Sequence, residues 1–291
     1  MSFVHRKIDV VLQKGTGADG LTAGQASVLT GHRVSATCTV AGGAGMAEAS
    51  IRIFGMSQNE MNDYSTLGML PMAFKNNLVE LRASDESGNM ATIFTGTILT
   101  ASPDMMASPE VAFNITALGG LIEALMKAPP STFPGSVDAA DVLSQLAAQA
   151  GLTFVNNGVS VQLQQPYYHG AIRTQIMECI EDAGIKGTIE NNTLTVWPRG
   201  GTRGGTVPLI SSTTGMVGYP TYTGTGIVAT SEFNPNVMFG GSVQVQSDLI
   251  QACGTWNVVT LVHDIESEVP TGKWFTQIQL AAPGLVVIPS Q

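Results

Sequence analysis

The chain has 291 residues, of which 44% are hydrophobic and only 12% are charged, with a formal net charge of −9. That length suits two or three domains of about 100 to 200 residues each, and the low charged fraction indicates a β-rich protein whose surface is partly covered by partners. The acidic excess and the absence of clustered Lys and Arg argue against nucleic acid as a bound ligand.

The first 118 residues carry a β-strand pattern. Short runs rich in β-branched residues alternate with Gly, Asn, Asp and Ser, which predicts strands joined by turns. The runs are HRKIDVVLQ, RVSATCTV, AEASIRIFGM, NLVELRAS, MATIFTGTILTAS and PEVAFNITAL. One helical arm is predicted over 57–68, because Ser57 and Glu60 form a capping box and Gly68 follows as a stop. Residues 1–118 are therefore predicted to form a small barrel or curved sheet that carries one helix.

Residues 119–199 change to a helical period. SVDAADVLSQLAAQAG predicts a helix capped by Ser136 and ended by Gly151, and AIRTQIMECIEDAG predicts a second helix that ends at Gly184. An Asn-rich turn follows each helix, at 156–158 and again at 191–192, so a helix–hairpin unit is predicted to occur twice. The segment is expected to be a small α/β module, and GGTRGG at 200–205 is expected to be a linker.

Residues 200–291 return to strands. Trp274, Thr276, Ile278 and Leu280 alternate with Phe275, Gln277 and Gln279, which predicts a half-buried strand. ESEVPTGK is predicted to join it to the preceding strand as a hairpin. The expected fold class is therefore mainly β with an α+β insertion. Two β-barrel modules, 1–118 and 200–291, are expected to flank the α/β module of 119–199.

His263 and Asp264 are the strongest candidates for chemistry, either as a base with its orienting acid or, for His263 with Glu266, as a metal pair. Neighbours on a strand point to opposite faces, and one pair falls short of the three or four ligands that a metal site needs. No positioned Ser or Cys nucleophile accompanies them. We therefore predict no catalytic residue, no metal ligand and no cofactor, and the protein is not expected to be an enzyme.

The remaining motifs also favour structural interpretations. GTGADG approximates a dinucleotide fingerprint but lacks the βαβ context, so a flexible loop is expected. Cys38, Cys179 and Cys253 form no CxxC or CxxH pattern and are expected to be buried or inert thiols. The Met-rich stripe over 56–72 is expected to belong to the core, with a partner groove as the alternative. No apolar run or leader pattern predicts membrane insertion or export, so folding in a cytoplasm is expected.

Several segments, taken in order, resemble one protein family. They are RKIDVVLQ, ASIRIFGMSQNEMNDYSTLG, the pair DVLSQLAAQAGL and IMECIEDAGIKGTIENNTLTVWP, and the closing GYPTYTGTGIVATSEFNPNVMFGGSVQVQS and GTWNVVTLVHDIESEVPTGKWFTQI. Their succession is similar to the baseplate hub proteins of contractile-tailed bacteriophages, the Mu-like hub family that is also related to the hub of the T-even phages. The resemblance covers most of the chain, although 291 residues is shorter than many hubs.

The resemblance implies a homotrimer in which each subunit contributes two tube-like barrel domains to a pseudo-sixfold ring. Such a ring would join the sixfold tail tube to the threefold spike and surround the genome channel. The implied partners are further copies of the chain, the tail tube protein, the central spike protein, and the baseplate wedge and tape measure proteins, with DNA only in transit. The implied location is the tail baseplate of the virion, after assembly in the host cytoplasm.

Two interface hypotheses follow from the resemblance. The segment SEFNPNVMFGG is expected to form an inter-subunit or tube-facing corner, with Phe233 and Phe239 exposed beside Asn234 and Pro235. His263 is expected to contact either a neighbouring subunit or only its own barrel. A cell-wall or peptide binding module built on the doubled helix–hairpin unit stays open as an alternative function, as does a tail-associated hydrolase.

Overall fold

The structure is a computed structural model and describes residues 6–16, 22–41, 45–66, 77–85, 87–106 and 108–283. The elements up to residue 118 are β1 (Ile8–Thr16), β2 (Thr22–Leu29), β3 (Val34–Ala41), β4 (Glu48–Phe54), α1 (Gln58–Tyr64), β5 (Leu78–Ser84), β6 (Met90–Asp104) and β7 (Ala112–Leu118). We call β1–β7 with α1 the first lobe.

The middle of the chain, which we call the α/β module, contains short helices and strands. They are α2 (Leu121–Leu125), β8 (Ser131–Thr132), β9 (Ser136–Asp138), α3 (Ala139–Ala150), β10 (Thr153–Asn156), β11 (Gln162–Gln164), β12 (Tyr167–Tyr168), α4 (Ile172–Asp182), β13 (Lys186–Glu190) and β14 (Thr193–Trp197). The second lobe follows, with β15 (Leu209–Ile210), β16 (Thr221–Tyr222), β17 (Gly226–Glu232), β18 (Ser242–Val245), β19 (Gly254–Ser267) and β20 (Trp274–Ala281).

One large sheet contains the strands of both lobes, which confirms the mainly β fold class. Its strand order is β16-β17-β20-β19-β3-β4-β7-β6-β5-β1-β2, and β18 and β15 extend it beside β19. Apart from the parallel pair β15–β18, neighbouring strands are antiparallel. The final hairpin of β19 and β20 forms as predicted.

Each lobe contains one long strand that changes partner partway along its length. The first half of β6, which is 15 residues long, pairs with β5 and its second half with β7, and the register shifts between Ile98 and Thr100. The first residues of β19, which is 14 residues long, pair with β18, and those from Thr260 onward pair with β3, with a register shift after Val258. Such irregularities bend a strand and turn the sheet over its own core.

Among the described residues no strand pairing closes the first lobe, whereas in the second lobe the chain after β15 returns to β17 through a bridge between Met216 and Ser231, and the two β-barrel modules stay a prediction. Closure of the first lobe would require β2 to pair with β3. Instead, the free edge of β3 is taken by β19 of the second lobe over eight residue pairs, from Ala41 with Thr260 to Val34 with Ser267. The two lobes are thus one continuous sheet, and the domain boundaries at 118 and 199 stay a prediction.

The predicted helical arm is present as α1. Ser57 Oγ accepts from the backbone N–H of Glu60, and a Glu60 carboxylate oxygen accepts from the backbone N–H of Ser57, which confirms the capping box. The helix ends at Tyr64 rather than at Gly68, which lies outside the described residues.

Most of the predicted core side chains and thiols that the structure describes are buried. Met56 and Met61 lie in the core of the first lobe, as expected, while the other two methionines of the stripe fall outside the described residues. Cys38 and Cys179 are buried, whereas Cys253 is exposed. Burial raises the pKa of the Cys38 thiol to about 12, which keeps this thiol protonated and unreactive.

The first of the two predicted helices of the α/β module, α3, differs from its prediction at the start only. Ser136 lies in β9, and the cap of α3 is Asp138, whose side chain accepts from the backbone N–H of Ala140. Gly151 ends the helix in the left-handed conformation at φ +72°, as predicted. The helices α3 and α4 pack together over the three-stranded sheet β10-β14-β13.

Only the second of the two predicted hairpins forms. Asn191 and Asn192 take positive φ angles of 46° and 59° and join β13 to β14 as an antiparallel pair. After α3, however, the Asn156 side chain makes two hydrogen bonds to the backbone of Val159 and redirects the chain. As a result, β10 pairs in parallel with β14, while β11 pairs with β9. The prediction of a first hairpin is wrong because both strands have partners elsewhere.

Candidate interface site

The predicted interface corner, 231–241, consists of the end of β17 and the segment 233–241, which joins β17 to β18. As it leaves β17, the backbone N–H of Phe233 donates to the carbonyl of Trp274 and that of Asn234 donates to Thr276 Oγ1. The Asn234 side chain then accepts from the backbone N–H of Asn236, so the chain turns at Pro235. Asn234 and Pro235 are half-buried. The segment is therefore anchored to β20 where it begins.

Phe233 is buried, not exposed, so the prediction of an exposed aromatic here is wrong. Its side chain is 2% exposed and joins the core of the first lobe, together with Ile265 and Trp274 of the second. The ring meets the rings of Trp274 and His263 edge-on, with centroids 5.4 and 5.2 Å away. We call the contact between the two lobes, where β3 pairs with β19, the seam. Phe233 is a large apolar side chain that fills space at this seam.

His263 lies inside the same seam. It is 4% exposed, and its Nδ1 is 3.0 Å from Thr276 Oγ1 on the neighbouring strand β20. Burial lowers the pKa of the imidazole to about 4, because the charged form would lose its hydration without gaining a counter-charge. Within the single chain, His263 therefore packs in its own sheet as a neutral side chain.

Asp264 points away from His263, as expected for neighbours on a strand. Its carboxylate is 2.9 Å from Lys273 Nζ and accepts from Thr37 Oγ1 at 3.4 Å. Across the described ranges, no group of three or more His, Cys, Asp or Glu side chains could hold a metal ion. The arrangement therefore offers neither a histidine–carboxylate pair nor a metal centre.

The far end of the segment contacts the α/β module. Phe239, predicted to be exposed, is 8% exposed and packs edge-on against Trp197, with ring centroids 6.0 Å apart. Gly240 follows at φ +74°, and a Cβ on it would lie 2.4 Å from the Trp197 ring, so only glycine fits. The prediction of an exposed corner is wrong here too, because Trp197 covers Phe239.

Arg203 strengthens this contact from within the predicted linker. Its backbone N–H donates to the carbonyl of Gly240 at 2.7 Å, and its guanidinium lies 2.6 Å from a Glu190 carboxylate oxygen. Both charged side chains are only 14% exposed. Sequence reasoning missed this ion pair, because the glycines around Arg203 suggested a free linker. The Gly240–Gly241 pair indicates that another segment approaches the backbone closely at this point, but the sequence does not show which segment that is.

A small cavity of about 120 Å³ lies where the two lobes and the α/β module meet. His263, Arg203 and Glu190 line it, with Pro235 and Phe94 among the apolar side chains. Three of the five predicted interface residues thus lie in two internal contacts, and the other two form the turn between them. Phe233 and His263 fill the seam between the lobes, Asn234 and Pro235 form the turn, and Phe239 holds the α/β module. In the part of the chain that the structure describes, no helix is long and apolar enough to cross a membrane.

The fold of the chain is similar to that of solved tail proteins. A tail protein from Neisseria meningitidis MC58 matches with a TM-score of 0.63 at 10% identity, covering 97% of this chain and 98% of that one. The 43 kDa tail protein of prophage MuSo2 from Shewanella oneidensis matches with a TM-score of 0.59 at 9% identity, covering 94% and 97%. An E. coli component of the type VI secretion system matches with a TM-score of 0.56 at 10% identity, covering 86% and 73%.

The sequence itself identifies the family. Residues 24–271 match the family described as baseplate hub gp41, and the chain belongs to that family of structural phage tail proteins. This confirms the resemblance to baseplate hubs. No curated protein sequence matches the chain.

Proposed function

We propose that the protein is the homotrimeric hub of a tail baseplate. Three copies form a ring that joins the sixfold tail tube to the threefold spike and surrounds the genome channel. The tube protein, the spike, the wedge and the tape measure protein are its partners, and it assembles in the host cytoplasm before entering the virion. Membership of the baseplate hub family supports this role, as does the likeness to the E. coli protein, which is described as similar to the T4 tail proteins gp27 and gp5.

The observation that carries the proposal is the parallel construction of the two lobes. Each lobe is built around one long strand, β6 or β19, that changes partner at a register shift. A subunit with two such lobes in one sheet offers two comparable units to a ring. Three subunits then supply six units, which allows a threefold assembly to meet a sixfold tube.

The assembly state tests the proposal directly. Mass photometry of the purified chain is expected to give three times the chain mass of 30.4 kDa, and electron microscopy is expected to show a ring with a central hole. A monomer at all accessible concentrations would contradict the hub assignment. Binding of such a monomer to wall fragments would favour the cell-wall binding module instead.

The acidic charge of the chain gives the channel a second property. The chain has a formal net charge of −9. A lumen lined by its carboxylates repels DNA and keeps the passing genome from adhering. A reconstruction of the ring is expected to show more Asp and Glu than Lys and Arg facing the hole. A lumen lined with Lys and Arg would overturn this part of the proposal.

A further inference from the structure

Among the described residues, the main path of the shared sheet ends in β2 and β16, and the two-residue strand β15 is a third terminal strand beside β18. At one end of the strand order, β2 pairs only with β1 among the described residues. At the other end, β16 pairs only with β17 within the same ranges. An unpaired edge presents a row of backbone donors and acceptors that can bind another chain. The two edges lie on different lobes and have different sequences, so they can be matched to each other rather than to themselves.

The β2 edge lacks the features that usually protect an edge strand. Its sequence, TAGQASVL, contains no charged residue and no proline, and Val28 is 54% exposed. Natural edge strands that face water are commonly blocked by Lys, by Pro or by a covering loop. An eight-residue uncharged edge is therefore typical of a surface that is covered in an assembly.

The opposite edge carries a cluster of exposed apolar and tyrosine side chains, which we call the outer patch. It consists of Val207, Leu209, Val217, Tyr219, Tyr222 and Ile250, with exposures from 38% to 84%. These residues lie on adjacent segments. The backbone N–H of Val217 donates to Thr230 of β17, and Leu209 pairs with Gln244 of β18. Tyr219 OH donates to the carboxylate of Asp248, two residues before Ile250.

The composition of the outer patch favours a protein partner. Tyr is enriched and charged side chains are depleted in the centres of protein interfaces, because aromatic rings bury much area at little loss of freedom. Exposed apolar patches on soluble proteins commonly mark interaction sites. Because β2 carries no charge, it brings no ion of its own into the contact, and the Asp248 carboxylate at the outer patch already accepts a hydrogen bond from Tyr219 OH.

We propose that the β2 edge of one subunit docks on the outer patch of the next, head to tail. This rests on the proposed trimer and names the surfaces that form it. A contact between two different surfaces generates a ring when the rotation closes, and in a closed ring each subunit uses each of the two surfaces once. The β2 edge and the outer patch of the single chain are thus the two halves of one repeated interface.

Two lysine substitutions test the proposal, one on each surface. Val28→Lys and Tyr222→Lys place a charge where the docked surface excludes water, which should weaken association about a hundredfold or more. Mass photometry at a concentration where the wild type is trimeric should show each variant as a monomer. Met106→Lys, at a residue that is 97% exposed in the loop between β6 and β7, serves as the control and should stay trimeric.

Mixing the two variants distinguishes a head-to-tail contact from a symmetric one. Each variant keeps one intact surface, so a mixture should form 1:1 pairs that grow no further, because the two remaining surfaces both carry lysine. Unchanged thermal unfolding of each separate variant, compared with Met106→Lys, shows that the substitutions leave the fold intact.

The outcomes also separate this inference from the proposed function. A wild-type monomer would remove the trimer itself. A wild-type trimer that survives both lysines would keep the trimer and overturn the docking surfaces. If only one variant dissociates while the other stays trimeric, the two surfaces are not partners of each other and the proposed pairing is wrong.

Discussion

The second lobe is attached to the rest of the chain in two different ways. It joins the first lobe through the β3–β19 ladder of eight residue pairs, and Phe233 is buried at that seam. It joins the α/β module through side chains, with Phe239 against Trp197 and Arg203 paired with Glu190. Both contacts use the same nine-residue segment, 233–241. The seam between the lobes is part of the sheet and opens only when the sheet unfolds, whereas the α/β module can detach by local loss of side-chain contacts.

Replacing each of the two phenylalanines with alanine is expected to give the largest difference in stability between the two attachments. Phe233→Ala leaves a cavity in the seam and is expected to lower the free energy of unfolding of the sheet by about 3–5 kcal/mol. Phe239→Ala, six positions later, should loosen the α/β module while the sheet keeps its stability. Urea denaturation at fixed protein concentration and hydrogen exchange along β19 measure the two effects. Equal losses of sheet stability in both variants would refute the distinction.

Acid should weaken the seam between the lobes specifically. Burial lowers the pKa of His263 from 6.5 to about 4, so the unfolded chain binds this proton at a higher pH than the folded one. The neutral imidazole makes its full contribution to the free energy of unfolding above pH 6.5. About 3 kcal/mol of that free energy is lost as the pH falls toward 4.

The variant His263→Gln, which cannot titrate, isolates that contribution. Urea midpoints at pH 7 and pH 4.5 are expected to differ more in the wild type than in His263→Gln, since the carboxylates titrate in both proteins. An identical pH dependence in the two proteins would show that the imidazole is not held neutral in the seam.

Adding one methyl group should detach the α/β module without harming the sheet. Gly240→Ala combines a positive φ with a clash against Trp197, and we expect a loss of about 2–3 kcal/mol in the docking of that module. Gly218→Ala is the matched control, because its φ of +69° is similar and nothing lies within 4 Å of its Cβ. Limited proteolysis should cleave Gly240→Ala faster between the module and the second lobe. Equal cleavage of both variants would exclude the Trp197 contact as the cause.

The ion pair between Arg203 and Glu190 should contribute least to the docking of the α/β module. Arg203→Ala leaves Glu190 partly buried without its cation, which should weaken the docking by about 1–2 kcal/mol. Arg199→Ala, at an exposed position nearby, should change nothing measurable. Hydrogen exchange of β13 and β14 reports the difference, and a larger effect from Arg199 would contradict the structure.

Local patterns in the sequence were enough to predict most elements. The capping box at Ser57, the left-handed stop at Gly151, the Asn191–Asn192 turn and the β19–β20 hairpin each depend on residues close together in the chain. Such features depend on backbone propensity and short-range hydrogen bonds, which the sequence displays directly. The predictions of fold class and family depended on these features, and both are confirmed.

Features that depend on distant partners could not be predicted in this way. The strand β2 is rich in Ala, Gly, Gln and Ser, which have little strand preference, and it is a strand because β1 lies beside it. The pairing of β10 with β14 and the burial of Phe233 likewise depend on segments 30 or more positions away. Large aromatic side chains beside Pro and Gly suggested an exposed corner. The same residues are equally suited to a tight internal junction.

The seam between β3 and β19 also dictates the order in which the chain can fold during synthesis. The backbone N–H of Val34 donates to a side chain 233 residues later, at Ser267. While the ribosome is still making the α/β module and the second lobe, β3 has β4 on one side and an uncovered edge on the other. Nascent chains with such edges are prone to aggregate, and closing long loops is slow. A truncated chain that lacks β19 should therefore be insoluble even though its first lobe is complete in sequence, so assembly can begin only after nearly the whole polypeptide has been made.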